Sequence, residues 1–279
     1  MKPATCFAPS RFLRLLRAQW AEQRRAYGLF LLVVFATQAL LMLIMLAMEH
    51  GRAGQTGTQA FFFWLGLLVS GMVFASQYFA ALRRPESALL LLTRPASTCE
   101  KWLLAALTVL VAYPLAYTLC ITLVNAAAGA VGYQWDLARA TELLPEGITH
   151  SALPEPRDYA LFVPFATYQD SSLQAPASQW AWLLVLAGLS GFAVLGSIYF
   201  RKLAGLKTAV VCFVVFLLTV LLSSTLGFHL EHLAWWLVLS GEASAPSLLW
   251  WLVNALFWLG VPALLWLCAL LALRERDLA

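Results

Sequence analysis

Six apolar stretches, each about 20 residues long or slightly longer, constrain the fold of this chain more than any other feature. They cover residues 27–48, 60–82, 102–127, 179–200, 208–228 and 250–273. A helix of about 20 apolar residues crosses the roughly 30 Å hydrocarbon core of a bilayer, and no stretch has Asp, Glu, Lys or Arg at its centre. The chain is 62% hydrophobic and 11% charged, whereas soluble domains carry about 25% charged residues. The sequence therefore predicts an all-α integral membrane protein, a single transmembrane domain over 1–279 with six transmembrane helices.

The distribution of basic residues predicts how the chain is oriented in the membrane. Of the 18 Lys and Arg residues, all but Arg52, Arg139 and Arg157 fall in the N-terminal segment, in the connectors 83–101 and 201–207, or after residue 273. Because Lys and Arg concentrate in cytoplasmic loops, both termini are expected in the cytoplasm. The basic excess indicates contact with anionic lipid headgroups and gives no reason to expect a nucleic-acid partner.

The segment 11–26 has the pattern of an amphipathic helix. On a helical projection Phe12, Leu13, Leu15, Leu16 and Trp20 share one face. The opposite face carries arginines, namely Arg14, Arg17, Arg24 and Arg25. This pattern predicts an interfacial helix on the cytoplasmic side; the simpler alternative is a positive flank that only sets the topology of the first span.

Two external segments have their own character. The loop 128–178 is rich in acidic residues and proline, which favours a solvated loop, although its aromatic part at 159–168 is also suited to capping the helices or resting on the outer leaflet. The segment 228–249 contains an apolar run that is too short to cross the membrane and return as two spans. We therefore expect a re-entrant hairpin between the fifth and sixth helices.

Within the spans, the pattern indicates helix packing and no chemistry. Pro114 and Pro262 are expected to bend their helices, because proline lacks the backbone N–H donor. Asn125 and Asn254 are expected to hydrogen-bond neighbouring helices. Pairs of small residues four positions apart predict close helix approach. These pairs are Gly66 and Ser70, Gly71 and Ala75, and Ala187 and Gly191.

Reactive groups that would define an enzyme do not come together in the sequence. A nucleophilic serine at Ser190 would need a nearby base, and the stretch 250–273 contains no histidine. His229 and His232, with Glu231 between them, are weak candidates for metal ligands, since a metal site needs three or four ligands; two histidines at the membrane interface are the favoured interpretation. The chain also lacks a phosphate-binding loop, so uphill transport would need an energy source in a partner.

The layout resembles the type-2 permease subunits of ATP-binding-cassette (ABC) exporters. The resemblance rests on six helices with cytoplasmic termini, the amphipathic start at 11–26, the connector 83–101 between helices two and three, and the hairpin 228–249. At the level of residues, the connector sequence ESALLLLTRPASTCEKWLLA is similar to the family's coupling connector.

The resemblance implies a transport subunit and not an enzyme, working in the bacterial cytoplasmic membrane as a homo- or heterodimer. It implies no cofactor bound by this chain, with ATP and Mg in a separate ATPase partner. The residues that it assigns to ATPase contact are Arg83, Arg84, Glu86, Leu91, Leu92, Arg94, Pro95, Glu100 and Lys101 in the connector, with Arg14 and Arg17 in the N-terminal helix.

Two further expectations concern function. A pathway lined by apolar, aromatic and hydroxyl side chains favours a lipid-like or amphipathic substrate over a small ion. The alternative functional class is a polytopic assembly or immunity factor that holds a partner through its external loop. A stoichiometric ATPase partner distinguishes the first class from the second.

Overall fold

A computed structural model describes residues 7–79, 96–143, 153–166, 176–200 and 247–278, together with seven isolated positions between 207 and 221. Every regular element in these ranges is helical. The α-helices are α1 (Pro9–Met48), α2 (Thr56–Tyr78), α3 (Thr98–Leu107), α4 (Tyr113–Leu143), α5 (Pro176–Tyr199), α6 (Leu248–Ala255) and α7 (Val261–Leu278). Short 3₁₀ helices occupy Arg52–Gly54 and Pro156–Tyr159.

Five helical segments are long and apolar enough to cross a membrane. Their bounds are Pro9–Met48, Thr56–Tyr78, Thr98–Glu142, Ser178–Tyr199 and Leu248–Arg276. They contain the predicted spans 27–48, 102–127 and 250–273 in full, and nearly all of the described part of the other two. Most of the predicted span 208–228 and of the hairpin 228–249 lies outside the described residues, so the sixth span, the hairpin and the cytoplasmic termini stay predictions.

The N-terminal amphipathic segment is not a separate helix. Residues 11–26 continue without interruption into the first apolar stretch, giving the 40-residue helix α1. The sequence predicted a distinct interfacial element here. No proline separates the two parts, and one glycine, Gly28, costs a helix only about 1 kcal/mol relative to alanine, so nothing in the chain breaks the helix.

The third helix is longer than predicted, and the external loop is correspondingly shorter. Residues 128–143, assigned to the loop from the sequence, form the last turns of α4. This part of the chain is rich in good helix formers and contains no proline before Pro145. Its two glycines, Gly129 and Gly132, lie so close to other backbone segments that a methyl group would clash there. Tertiary packing therefore supports the extension.

Both prolines that were expected to disturb helices do so in the same way. A π-helical turn at Thr108–Ala112 ends two residues before Pro114, and another at Leu256–Gly260 ends two residues before Pro262. Because proline offers no N–H to the carbonyl four residues earlier, the preceding turn widens. The α3–α4 and α6–α7 pairs are thus each one helical path with a π turn inside it.

The described residues divide into two compact units. The first is drawn from Met1–Arg25, Leu68–Pro114 and Trp180–Ala279, and the second from Ala26–Leu67 and Leu115–Gln179. In the first, the ring of Phe74 stacks on that of Tyr113 at 4.5 Å, and the Tyr113 hydroxyl donates to Ser70 Oγ. In the second, Phe63 contacts Tyr117 and Phe162 with ring centroids 5.4 Å apart.

The predicted close approach of small residues is confirmed at the positions where it can be checked. A Cβ atom at Gly66 would collide with the Tyr117 hydroxyl and the Gln38 carboxamide of the second unit. A Cβ at Gly71 would meet Leu186, and one at Gly191 would meet Trp266, both in the first unit. Side chains of neighbouring segments therefore pack directly against these glycines, and a Cβ atom there would make them shift.

Candidate functional site

The last residues of the predicted cytoplasmic connector form a capping box at the start of α3. Ser97 Oγ accepts the Glu100 N–H at 3.2 Å, and the Ser97 N–H donates to Glu100 Oε2 at 2.9 Å. A serine followed three residues later by glutamate is the sequence signature of this arrangement. The capping box fixes both the start of α3 and the direction in which the Glu100 carboxylate points.

The other oxygen of the same carboxylate reaches the start of α1. Glu100 Oε1 accepts the Ala8 N–H at 2.8 Å and lies 3.3 Å from Arg11 Nη2. Ala8 is the residue before Pro9, the first residue of α1, and 92 positions separate it from Glu100. One carboxylate therefore holds together the N-terminal ends of two helices, where the positive ends of the helix dipoles also favour a negative charge.

The start of α1 is preorganised for this contact. Pro9 occupies the first helical position, where its missing N–H has no consequence. The ring of Phe7 packs on Phe12 with centroids 5.6 Å apart, the residue spacing of a hydrophobic staple. These two features fix the direction in which the chain enters the helix, and they present the Ala8 N–H to Glu100.

Burial makes this junction energetically important. The Glu100 side chain is 0% exposed, while that of Arg11 is 32% exposed. A buried carboxylate without partners is strongly disfavoured, and removing one partner of a buried ion pair typically costs about 3–5 kcal/mol. Because Arg11 is partly exposed, solvent screens the attraction, and the cost of breaking this pair lies below the upper end of that range.

A ladder of tryptophan hydrogen bonds continues from this junction within the same unit. Trp102, two residues after Glu100, donates from Nε1 to the Trp266 carbonyl at 2.9 Å. Trp266 donates in turn to the Ala187 carbonyl at 3.0 Å, and the two indole rings lie 6.2 Å apart. The start of α3 is thereby attached to α7, and α7 to α5.

The structure divides the predicted contact residues into three groups. Arg14 and Arg17 are exposed on α1, as a docking surface requires. Glu100 and Lys101 are buried, and Glu100 bonds its own chain; the contact of these two residues with an ATPase stays a prediction. The other seven lie outside the described residues: Arg83, Arg84, Glu86, Leu91, Leu92, Arg94 and Pro95.

The weak metal candidates cannot be placed. His229, Glu231 and His232 lie outside the described residues. Within the residues that the structure does describe, no group of three or more His, Cys, Asp or Glu side chains is arranged to hold a metal ion.

The described part of the loop that the sequence predicts to be external folds onto its own chain. Thr56 Oγ1 donates to the Ala160 carbonyl at 2.7 Å, and Gln59 Oε1 accepts the Phe162 N–H at 3.0 Å. Tyr159 donates to Asp136 Oδ2 at 2.6 Å; burial and this carboxylate raise the pKa of the Tyr159 phenol, which stays protonated at neutral pH. Several interpretations were left open for the aromatic segment 159–168. In its described part, which ends at residue 166, the segment packs against the helices as a cap.

Sequence reasoning assigned the buried asparagines to bonds between helices, and such a bond is not found for Asn125 within the described residues. Asn254 Nδ2 donates to the Trp250 carbonyl of its own helix at 3.0 Å. Asn125 is 0% exposed, and neither polar atom of its carboxamide finds a hydrogen-bond partner among the residues described. A carboxamide bond between helices is made instead by Gln38 of α1, which donates to the Phe62 carbonyl of α2 at 3.1 Å, while Gln59 joins α2 to the segment around Phe162.

Comparison of the chain with protein-family models, with curated proteins and with solved structures finds no match.

Proposed function

We propose that this chain is the permease subunit of an ABC-type exporter of the bacterial cytoplasmic membrane, driven by ATP that a separate subunit hydrolyses. The observation that carries the proposal is the Glu100 junction, where one buried carboxylate binds Ala8 and Arg11 of α1 and caps α3. The resemblance assigns the N-terminal helix and the connector to one ATPase surface, and such a surface needs the two segments to be fixed to each other.

The mechanism follows from what the junction connects. An ATPase that grips the exposed Arg14 and Arg17 and the connector would move the ends of α1 and α3 together, because Glu100 links them. The Trp102 and Trp266 hydrogen bonds would pass this motion to α7 and α5. Rocking of packed helices between two arrangements is the usual form of such transitions. Six helices supply half of a translocation pathway, so the working unit is a dimer of permeases with two ATPases.

The proposed substrate class is lipid-like or amphipathic. Apolar side chains dominate the exposed surfaces of the described membrane-spanning helices, and fixed charge is confined to their ends. A hydrated ion would be poorly accommodated along such a path. Stimulation of ATP hydrolysis by amphipathic compounds, with no stimulation by hydrophilic ions, is the expected signature.

Charge reversal on α1 tests the proposal. The full chain is affinity-purified from its native membrane, and the amount of co-purified ATPase subunit is measured for the wild type and for the double variant Arg14→Glu, Arg17→Glu. Both side chains are exposed, so folding is expected to persist. We expect a stoichiometric ATPase with the wild type and at least a tenfold loss with the variant, since like charges at an interface cost several kcal/mol.

The matched control reverses two exposed arginines that the predicted topology places on the external side, Arg52→Glu and Arg157→Glu. It should retain the ATPase at the wild-type level. A wild-type chain that purifies without any ATPase, or an equal loss in the control and in the α1 variant, would contradict the proposal.

A further inference from the structure

A recess of about 460 Å³ lies between the last turn of α1 and the last turns of α4. Its lining consists of Ala47, His50, Trp135, Ala138, Arg139 and Glu142. The site is in the second unit and shares no residue with the Glu100 junction. It combines two small apolar residues, an indole, two nitrogen donors and a carboxylate.

A tight turn after α1 shapes one wall of this recess. The Gly51 N–H donates to the Leu46 carbonyl at 2.9 Å and closes the helix. His50 and Gly51 have φ of 53° and 99°, in the region that favours glycine. A Cβ atom at Gly51 would overlap the Gly132 carbonyl, so glycine allows the turn to press against α4. His50 is thereby held in an uncommon backbone conformation beside the outer part of α4.

The recess lies at the level of lipid headgroups. It begins where the 27–48 apolar stretch ends, and Glu49 and His50 are the first polar residues after it. Trp135 is 46% exposed, and tryptophan is enriched at membrane interfaces. Arg139 and Glu142 follow at four and seven residues along the same helix face, about 6 and 10 Å farther along the axis. The headgroup layer extends about 5–8 Å beyond the hydrocarbon on each side.

The charged groups of the recess have opposite signs and are available. Arg139 and Glu142 are exposed, and neither forms an ion pair with another residue in the described part of the chain. An anion alone would meet the Glu142 carboxylate, whereas a cation alone would meet the Arg139 guanidinium. A ligand with both charges a few ångströms apart satisfies both side chains, and the C-terminal ends of α1 and α4 add partial negative charge that favours the cationic part.

We propose that this recess binds the headgroup of a zwitterionic phospholipid with a primary ammonium group, as in phosphatidylethanolamine. Arg139 and His50 donate to the phosphate, and the Glu142 carboxylate accepts from the ammonium. Trp135 packs against the glycerol region, while Ala47 and Ala138 leave room for it. The site stands on the membrane-spanning helices alone and does not depend on the proposed transport function.

Lipid selectivity of the purified full chain tests this site. The chain is delipidated in detergent, and binding of phosphatidylethanolamine, phosphatidylcholine and phosphatidylglycerol is measured by native mass spectrometry at matched concentrations. Phosphatidylcholine has no ammonium N–H to donate to Glu142, and phosphatidylglycerol has no ammonium at all. We expect phosphatidylethanolamine to be retained about tenfold better than either, because a charge-assisted hydrogen bond contributes roughly that factor.

Three variants assign the roles of individual residues. Arg139→Gln should lower the binding of both phosphatidylethanolamine and phosphatidylglycerol, while Glu142→Gln should lower only the former. Ala138→Phe fills the recess and should abolish the preference. Arg24→Gln, which removes an exposed arginine in the N-terminal half of α1, should change nothing.

Three results would overturn the proposal. Equal retention of the three lipids would mean that the recess holds no headgroup. A preference for phosphatidylglycerol would mean a simple anion site. An equal effect of Arg24→Gln and Arg139→Gln would mean a general response to net charge.

Discussion

Glu100 has a structural role that sequence reasoning did not assign to it. Its charge, in the cytoplasmic connector predicted from the sequence, led the resemblance to place it on the ATPase-contact surface. The structure buries it and uses both oxygens inside the chain. The spacing of Ser97 and Glu100 is a capping-box signal that was readable from the sequence. The contact with Ala8 and Arg11 was not readable, because it depends on tertiary structure across 92 residues.

The Glu100→Gln variant should weaken the junction between α1 and α3. Glutamine keeps one acceptor, but it removes the charge that faces Arg11 and turns a donor toward one of the backbone N–H groups that Glu100 binds. We expect a loss of about 1–3 kcal/mol in the free energy of unfolding and faster amide exchange at Ala8. Thermal unfolding and hydrogen exchange measure the two effects.

The control for this variant is Glu49→Gln, which neutralises an exposed carboxylate at the other end of α1. It should change the free energy of unfolding by less than about 0.5 kcal/mol. If Glu100→Gln were equally silent, the junction would not stabilise the protein.

Two buried carboxamides of the second unit are expected to respond oppositely to replacement by leucine. Gln59 binds the Gly54 carbonyl and the Phe162 N–H, so Gln59→Leu leaves buried groups unpaired and should cost about 2 kcal/mol or more. Asn125 has no hydrogen-bond partner among the described residues, so Asn125→Leu should raise the free energy of unfolding by about 1 kcal/mol or more. The melting temperatures of both variants and of the wild type, measured in the same detergent, test these two expectations. A lower melting temperature for Asn125→Leu would show that the Asn125 carboxamide has a hydrogen-bond partner in the purified protein.

At the scale of elements, sequence reasoning succeeded where local rules decide and failed where packing decides. Hydropathy located the apolar helices, and proline located the two irregular turns, because both effects act within a few residues. The extension of α4 through 128–143 was missed. Its polar last turns suggested a loop, while the close packing of Gly132 against Gly51 and Gly54 supports a helix there.

Two glycines of similar helical context should respond differently to alanine. A Cβ at Gly28 in α1 would meet nothing within 4 Å, so Gly28→Ala should stabilise the protein by up to about 1 kcal/mol through helix propensity. A Cβ at Gly132 in α4 would clash with the backbone of Gly51 and Gly54, so Gly132→Ala should destabilise by about 1–3 kcal/mol.

Thermal unfolding monitored by tryptophan fluorescence compares the two glycine variants under the same conditions. Equal effects would mean that α4 does not pack closely on the turn after α1. The Gly132→Ala variant should also weaken the phosphatidylethanolamine preference, because that turn forms one wall of the recess.

For the whole molecule, the sequence was sufficient to predict an all-helical membrane protein. It was not sufficient to predict how the helices are organised within it. Composition and apolar length alone predict membrane-spanning helices, and the described residues contain five helices long and apolar enough to cross a membrane. The division into two compact units and the docking of Tyr159 and Phe162 onto their own unit follow from contacts between distant segments. No local pattern encodes such contacts: the sequence offered docking of the aromatic segment only as one of several alternatives, and it did not indicate the two units.

The composition of the particle that contains this chain tests the central claim most directly. The full chain is extracted from its native membrane in a mild detergent, and the intact complex is weighed by native mass spectrometry. We predict two permease chains together with two copies of an ATP-binding subunit. A particle that contains this chain without any ATP-binding subunit would contradict the claim that it is an ABC permease.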